Sequence, residues 1–224
     1  MTRSSGRALR LAHRGDWRGA PENTLPALLA ALDVRGCDGL EFDVRGSSDG
    51  VPILQHDETL ARVHGRPERP QDLTAAELRA SGVSVLADVL AALPPTAYLD
   101  IEVKDGPAAS FVDVAEAGRG HELRNAVVSS FAPAVLRSVR RQRPAWPLWL
   151  NANDLEPATL ALALELGCAG VSVEWHAVRE PAVRRAQAAG LDVAAWTIRR
   201  RATFDRLARL GVMAMCVEGA ALDG

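Results

Sequence analysis

Short apolar, strand-like segments recur from one end of this chain to the other, and between most of them runs a stretch with helical spacing. The strand-like segments are residues 9–14, 39–45, 98–104, 126–131, 148–151, 170–175, 192–198 and 212–217. Apolar residues at helical intervals mark 24–34, 134–141, 157–166, 181–189 and 202–210. Gly36, Gly167, Gly190 and Gly211 stand just ahead of the following strands, where the end of a helix favours glycine. Strands alternating with helices build a parallel sheet, and eight parallel strands are the number that closes into a barrel. The predicted fold is therefore a (β/α)8 TIM barrel. A doubly wound open sheet is the alternative. It calls for a glycine-rich phosphate turn after the first strand, and His13-Arg14-Gly15-Asp16 is not one. With 224 residues the chain has enough length for one domain and too little for two, so residues 1–224 read as a single barrel domain.

The alternation breaks once, between Arg45 and Tyr98. Ser48-Asp49-Gly50 forms a tight turn, and residues 51–55 form a short extra strand that ends at His56-Asp57. A polar stretch over 65–72 and two short helical patterns, 75–80 and 87–93, follow. In a barrel this is an insertion, residues 47–96, in the connection after the second strand. Barrel active sites are built from the loops at the carboxyl ends of the strands, so the insertion is placed to cover the mouth.

Strand geometry then locates the chemistry. Side chains alternate across a strand, so Glu41 and Asp43 share one face of the second strand, while Leu40, Phe42 and Val44 share the other. On the third strand Asp100, Glu102 and Lys104 oppose Leu99, Ile101 and Val103. The apolar faces must pack on the outer helices, which turns the acids into the barrel. Several buried carboxylates side by side are costly unless positive charge neutralises them. A hard divalent cation held by oxygen ligands, Mg²⁺ or Ca²⁺, does this. An internal ion-pair network with Arg14, Arg45 and Lys104 does it as well. On these strands alone both readings stand.

Two histidines bear on the choice. His13 ends the first strand and His56 ends the extra strand, so both reach the rim toward which the acids point. Histidine is the usual carrier of protons near neutral pH. A metal, two proton-transfer groups, and Arg14 and Lys104 as anion clamps together describe the cleavage of a phosphoryl ester. Lys104 is also the only lysine among 26 basic residues. Glu22-Asn23 reads first as helix capping, because Asn and Thr precede an apolar-periodic run. Glu22 has a second reading as a brace for Arg14.

The run His13-Arg14-Gly15, Pro21-Glu22-Asn23-Thr24, Glu41-Phe42-Asp43, Asp49-Gly50 and His56-Asp57 resembles the signature of glycerophosphodiester phosphodiesterases. Leu60-Ala61-Arg62, Ile101-Glu102-Val103-Lys104, Ser130-Phe131 and Trp196-Thr197-Ile198 are similar to the family's later elements, in the same order. The resemblance implies that Glu41, Asp43 and Glu102 bind one divalent cation and that His13 and His56 act as general acid and base. It also implies that Arg14 and Lys104 hold the phosphate and that Trp196 walls the substrate pocket. The substrates it implies are small glycerophosphodiesters such as glycerophosphocholine, cut to glycerol 3-phosphate and an alcohol. Three places depart from the pattern. Val217-Glu218-Gly219-Ala220 stands where the family has Thr-Asp followed shortly by Pro, Arg199 where it often has Asn, and Val83-Ser84-Val85-Leu86 where it has Pro-Thr-Leu. A lysophospholipase D-like phosphodiesterase and a non-catalytic barrel that binds glycerophosphodiesters are the alternative functions.

Composition excludes several other classes. A net charge of −2 gives no global attraction to nucleic acid or to an anionic membrane, and no apolar run is long enough to span a bilayer. The Arg199–201 and Arg137–143 clusters are solvated helix faces in a chain that uses arginine as its general cation. Cys37, Cys168 and Cys216 match no zinc or redox spacing. They and the leaderless first ten residues point to the cytoplasm. Oligomeric state is not encoded legibly. Trp146 and Trp149 read as packing residues, and of His64, His121 and His176 only His176 is placed to approach the site.

Overall fold

The computed structural model describes residues 7–104 and 110–224. Strand β1 (Leu9–His13) leads through helix α1 (Leu25–Leu32) to β2 (Gly39–Gly46), then to β3 (Pro52–Leu54), α2 (Ala61–His64), α3 (Ala75–Ala80) and α4 (Leu86–Ala92). Next come β4 (Tyr98–Val103), α5 (Phe111–Arg119), β5 (Ala126–Ser130), α6 (Pro133–Gln142) and β6 (Leu148–Ala152). The chain finishes through α7 (Pro157–Glu165), β7 (Gly170–Glu174), α8 (Glu180–Ala188), β8 (Asp192–Ile198), α9 (Arg201–Arg209) and β9 (Ala214–Val217). All strands but β3 pair in parallel, and β1 pairs with both β2 and β9, which closes the ring. This is the expected (β/α)8 barrel. Among the described residues no helix is long and apolar enough to cross a membrane.

Alternation sorts the side chains into two layers. Leu40, Phe42 and Val44 of β2 and Leu99, Ile101 and Val103 of β4 face outward and are fully buried against the helices. Each such burial contributes about 1.5–3 kcal/mol. Facing inward at the amino end of the barrel, Leu11, Val127, Trp149, Ala194 and Ala214 form a separate apolar plug. Tyr98 stacks on Trp149 with ring centroids 6.3 Å apart. Both Trp146 and Trp149 are buried packing residues, as expected. With the amino end plugged, the inward polar residues collect at the carboxyl end.

Between β2 and β4 the chain builds a small second cluster. β3 pairs antiparallel with the end of β2, and Ile53, Leu60, Leu78, Val83 and Val85 pack together beneath the connecting segments. Leu86, Val89 and Leu90 of α4 belong to the main core instead. Two helices lie outside the sequence expectations, the four-residue α2 and the longer α5. α5 buries Phe111, Val112 and Ala115 but contains Gly118, which weakens its helical signature. The glycine is there for contact: a side-chain carbon at Gly118 would come within 2.7 Å of Leu90 on α4.

Candidate active site

Register puts the inward residues of three neighbouring strands into layers. His13 of β1 pairs with Glu41 of β2, and Glu41 with Asp100 of β4; one layer higher, Asp43 pairs with Glu102. Immediately after β1 the chain reverses through Arg14 (φ 59°) and Gly15 (φ 88°). A side chain at Gly15 would strike the backbone of Ala27 at 2.6 Å, so this tight passage beneath α1 requires glycine. The reversal returns the Arg14 guanidinium to the acids, with Nε 3.1 Å from Asp43 and Nη1 donating to Glu22 at 2.9 Å. Of the two readings of Glu22, the structure therefore takes the brace.

Glu41, Asp43 and Glu102 each offer an oxygen within 4.8 Å of the others. Four carboxylates, counting Asp100, face two fixed cations. Lys104 Nζ lies 2.7 Å from Asp43 and forms an ion pair with Glu102, while Arg14 pairs with Asp43. Arg45 takes no part in this network; its guanidinium donates to the His56 carbonyl at 2.8 Å. The ion-pair reading therefore describes Arg14 and Lys104 with Asp43 and Glu102, but leaves Glu41 and Asp100 without a paired arginine or lysine among the described residues. Both Glu41 oxygens are buried without a hydrogen-bond donor among the described residues, and the closest ionisable nitrogen, His13 Nε2, is 3.7 Å away. Burial, with Asp43 and Glu102 adding to it, pushes the Glu41 carboxyl well above its usual range. Burial also opposes ionisation of Asp43, but Lys104 and Arg14 outweigh it and hold that carboxyl low. A buried acid with two orphaned oxygens beside two further carboxylates fits a hard cation.

Each histidine is oriented through its Nδ1 by a carboxylate. His13 Nδ1 is 2.5 Å from Glu218 Oε1, and Arg199 Nε donates to the other Glu218 oxygen at 2.9 Å. His56 Nδ1 is 2.7 Å from Asp57, which also accepts from Arg62 Nε at 2.6 Å. Both rings thus keep Nε2 free of these braces. Burial, partly offset by Asp43 and Asp57, lowers the His56 pKa below its ordinary value and favours the neutral ring.

A cavity of about 250 Å³ opens over these groups, lined by His13, Arg14, Glu41, His56, Asp100, Glu102, Lys104, Phe131, Asn151, Ser172, Trp196, Thr197 and Cys216. Trp196 is pinned by its Nε1 donating to Ser172 O at 3.2 Å and meets Phe131 edge-on, ring centroids 5.6 Å apart. All eight residues singled out in the sequence are brought together, seven on the cavity wall and Asp43 beneath it. His176 is not among them. It pairs with Glu174 and lines a separate hollow with Asp154 and Arg185.

Asn23 requires a correction. The cap of α1 is Thr24, whose hydroxyl accepts from the Ala27 N–H. Asn23 instead takes a left-handed conformation (φ 56°), is buried, donates from Nδ2 to Asp43 at 2.8 Å and accepts the Asp43 N–H at 3.1 Å. Asparagine tolerates that backbone better than most residues. The sequence reading also missed Glu218, which stood only as a departure from a pattern, and the Asp57–Arg62 pair, although the His56-Asp57 dipeptide was its signal.

Comparison with known proteins bears on the fold and the family. A Glycerophosphodiester phosphodiesterase of Caldanaerobacter subterraneus subsp. tengcongensis is 26% identical over 226 residues, covering 92% of each chain. The crystal structure of a glycerophosphodiester phosphodiesterase from Thermotoga maritima superposes with TM-score 0.81 at 21% identity, covering 98% of this chain and 97% of that one. An Oleispira antarctica phosphodiesterase solved with the product sn-glycerol-3-phosphate superposes with TM-score 0.78 at 24% identity, covering 94% and 93%. At those identities the two structures share the fold. Residues 13–220 match the Glycerophosphoryl diester phosphodiesterase family along nearly the whole barrel, and the chain belongs to that family.

Proposed function

We propose that the protein hydrolyses small glycerophosphodiesters, such as glycerophosphocholine, to glycerol 3-phosphate and an alcohol, with one divalent cation, Mg²⁺ or Ca²⁺, held by Glu41, Asp43 and Glu102. The observation that carries this reading is Glu41, whose two buried oxygens lack any donor within a three-carboxylate cluster. A bound cation would neutralise these acids and set positive charge against the phosphate oxygens. Arg14 and Lys104 stand on the same wall and bind the phosphate. Glu218 and Asp57 engage Nδ1 of His13 and His56 and leave each Nε2 for the reaction, so a neutral ring takes a proton at Nε2 while the other, entering as the imidazolium, gives its Nε2 proton to the leaving oxygen. Trp196, fixed by Ser172, excludes water on the far side and packs against the organic part of the substrate.

The reading takes residues 1–224 as one domain with an insertion over 47–96 and a cytoplasmic location, in keeping with three cysteines that form no disulfide. It involves no nucleic acid and no stable membrane association, in keeping with a net charge of −2. Turnover of glycerophosphocholine with Mg²⁺ or Ca²⁺, and after EDTA treatment, tests it. The expected result is glycerol 3-phosphate and choline, lost on chelation and restored by the cation. An undiminished rate after exhaustive chelation removes the metal. Turnover confined to lysophosphatidylcholine favours the phospholipase D-like alternative, and binding of glycerophosphocholine without turnover favours the non-catalytic one.

A further inference from the structure

Glu22 and Asp57 each touch a group assigned to the reaction, and each carries a liability. A carboxylate against Arg14 competes with a phosphate for the same guanidinium. A carboxylate against His56 orients the ring only if it is itself held. One residue answers both. Arg62, at the start of the four-residue helix α2, forks onto Glu22 with Nη1 at 2.8 Å from Oε2 and Nη2 at 2.6 Å from Oε1, while its Nε donates to Asp57 Oδ2 at 2.6 Å. Glu22 Oε1 also accepts from Arg14, and Asp57 Oδ1 takes His56 Nδ1. A single guanidinium therefore completes an unbroken chain, Arg14–Glu22–Arg62–Asp57–His56, across two loops 40 residues apart. Its fixed charges alternate and cancel.

We propose that Arg62 is a positioning residue that couples the phosphate clamp to the proton-transfer histidine. The assignment rests on the functional reading above and extends it to a residue from the inserted segment. Arg62 restores to Arg14 the positive charge that Glu22 cancels, and it fixes the Asp57 carboxylate that aims His56. Loss of Arg62 leaves one more negative charge at the mouth and frees both carboxylates. Arg62 is half exposed (51% of its side chain), so its ion pairs add little to folding, and positioning can be separated from stability. Lysine cannot replace it, because one ammonium has no fork to span two carboxylates.

The test measures kcat, KM and thermal unfolding on glycerophosphocholine with saturating Mg²⁺ for wild type, Arg62→Ala, Arg62→Lys, Asp57→Asn and the Asp57→Asn/Arg62→Ala double variant. Arg66→Ala, which removes a pairing to Glu68 and Ser81 within the insertion, serves as control. Both Arg62 variants should lose about 10–100-fold in kcat/KM with unchanged unfolding temperature, as is usual for outer braces of a site. In the Asp57→Asn background, Arg62→Ala should raise KM through Arg14 without lowering kcat further. Wild-type kcat/KM in either Arg62 variant overturns the proposal, as does an equal kcat loss with and without Asp57 or a loss that tracks unfolding. A wild type inert toward glycerophosphodiesters overturns the functional reading instead, and the proposal falls with it.

Discussion

Asp100 faces the barrel interior on β4, 2% exposed, with Ser129 Oγ donating to it at 2.6 Å. Burial pushes its carboxyl from an ordinary 3.8 up to about 7, with Glu102 and Asp43 adding to the rise. A carboxyl raised in the folded state binds a proton there while the unfolded chain has already lost it. The metal-free fold should therefore be favoured most below the unfolded value and lose stability as pH rises, until Asp100 ionises in the fold near pH 7. Asp100→Asn keeps the shape and the oxygen that accepts from Ser129, and removes the ionisation. A gap of about 3 pKa units corresponds to about 4 kcal/mol once pH exceeds the folded value. Of this, about 2 kcal/mol accrues between about pH 5.5 and about pH 8. Urea unfolding of EDTA-treated wild type and variant across that interval measures it, and the variant should gain on wild type by that amount. Mg²⁺ should flatten the difference, because a cation on Glu102 and Asp43 stabilises the ionised acid. A difference that stays constant with pH would refute the reasoning, since Asp100 would then be ionised throughout.

Three further changes probe the site. Asn23→Ala removes both bonds to Asp43 and leaves a buried amide unmet, so denaturant unfolding should show a loss of about 1–3 kcal/mol and kinetics a lower kcat/KM. Lys104→Arg keeps the charge but forces a planar fork into a buried position where a compact ammonium meets Asp43 and Glu102, so kcat/KM should fall; near-wild-type kinetics would make the only lysine incidental. Glu218→Gln should lower kcat about 10–100-fold with a smaller change in KM, because it weakens the brace on His13 without touching the phosphate clamp. Unchanged kcat would separate Glu218 from the chemistry.

Much of this protein was legible in its sequence because much of it is local. Alternating apolar and acidic residues over Gly39–Gly46 and Tyr98–Val103 fix which side chains turn inward whatever the neighbours are, and strands spaced by helices leave few ways to close a sheet. The carboxylates, Lys104 and the rim placement of both histidines follow from that, whereas Arg14 reaches the acids only through the left-handed turn after β1. The α5 helix did not follow either, because the contact that makes Gly118 tolerable lies on another helix.

What holds the functional groups in place was decided by tertiary structure alone. His13 and Glu218 are 205 positions apart and meet only because the ring closes with β9 beside β1, where Ala12 pairs with Val217. Asn23 reads as a cap until the fold brings it against Asp43, and Arg62 has no partner readable from the sequence until α2 sets it against Glu22. A strand's periodicity carries the direction of a side chain, but a hydrogen bond between distant loops depends on a register and a closure that no local pattern contains.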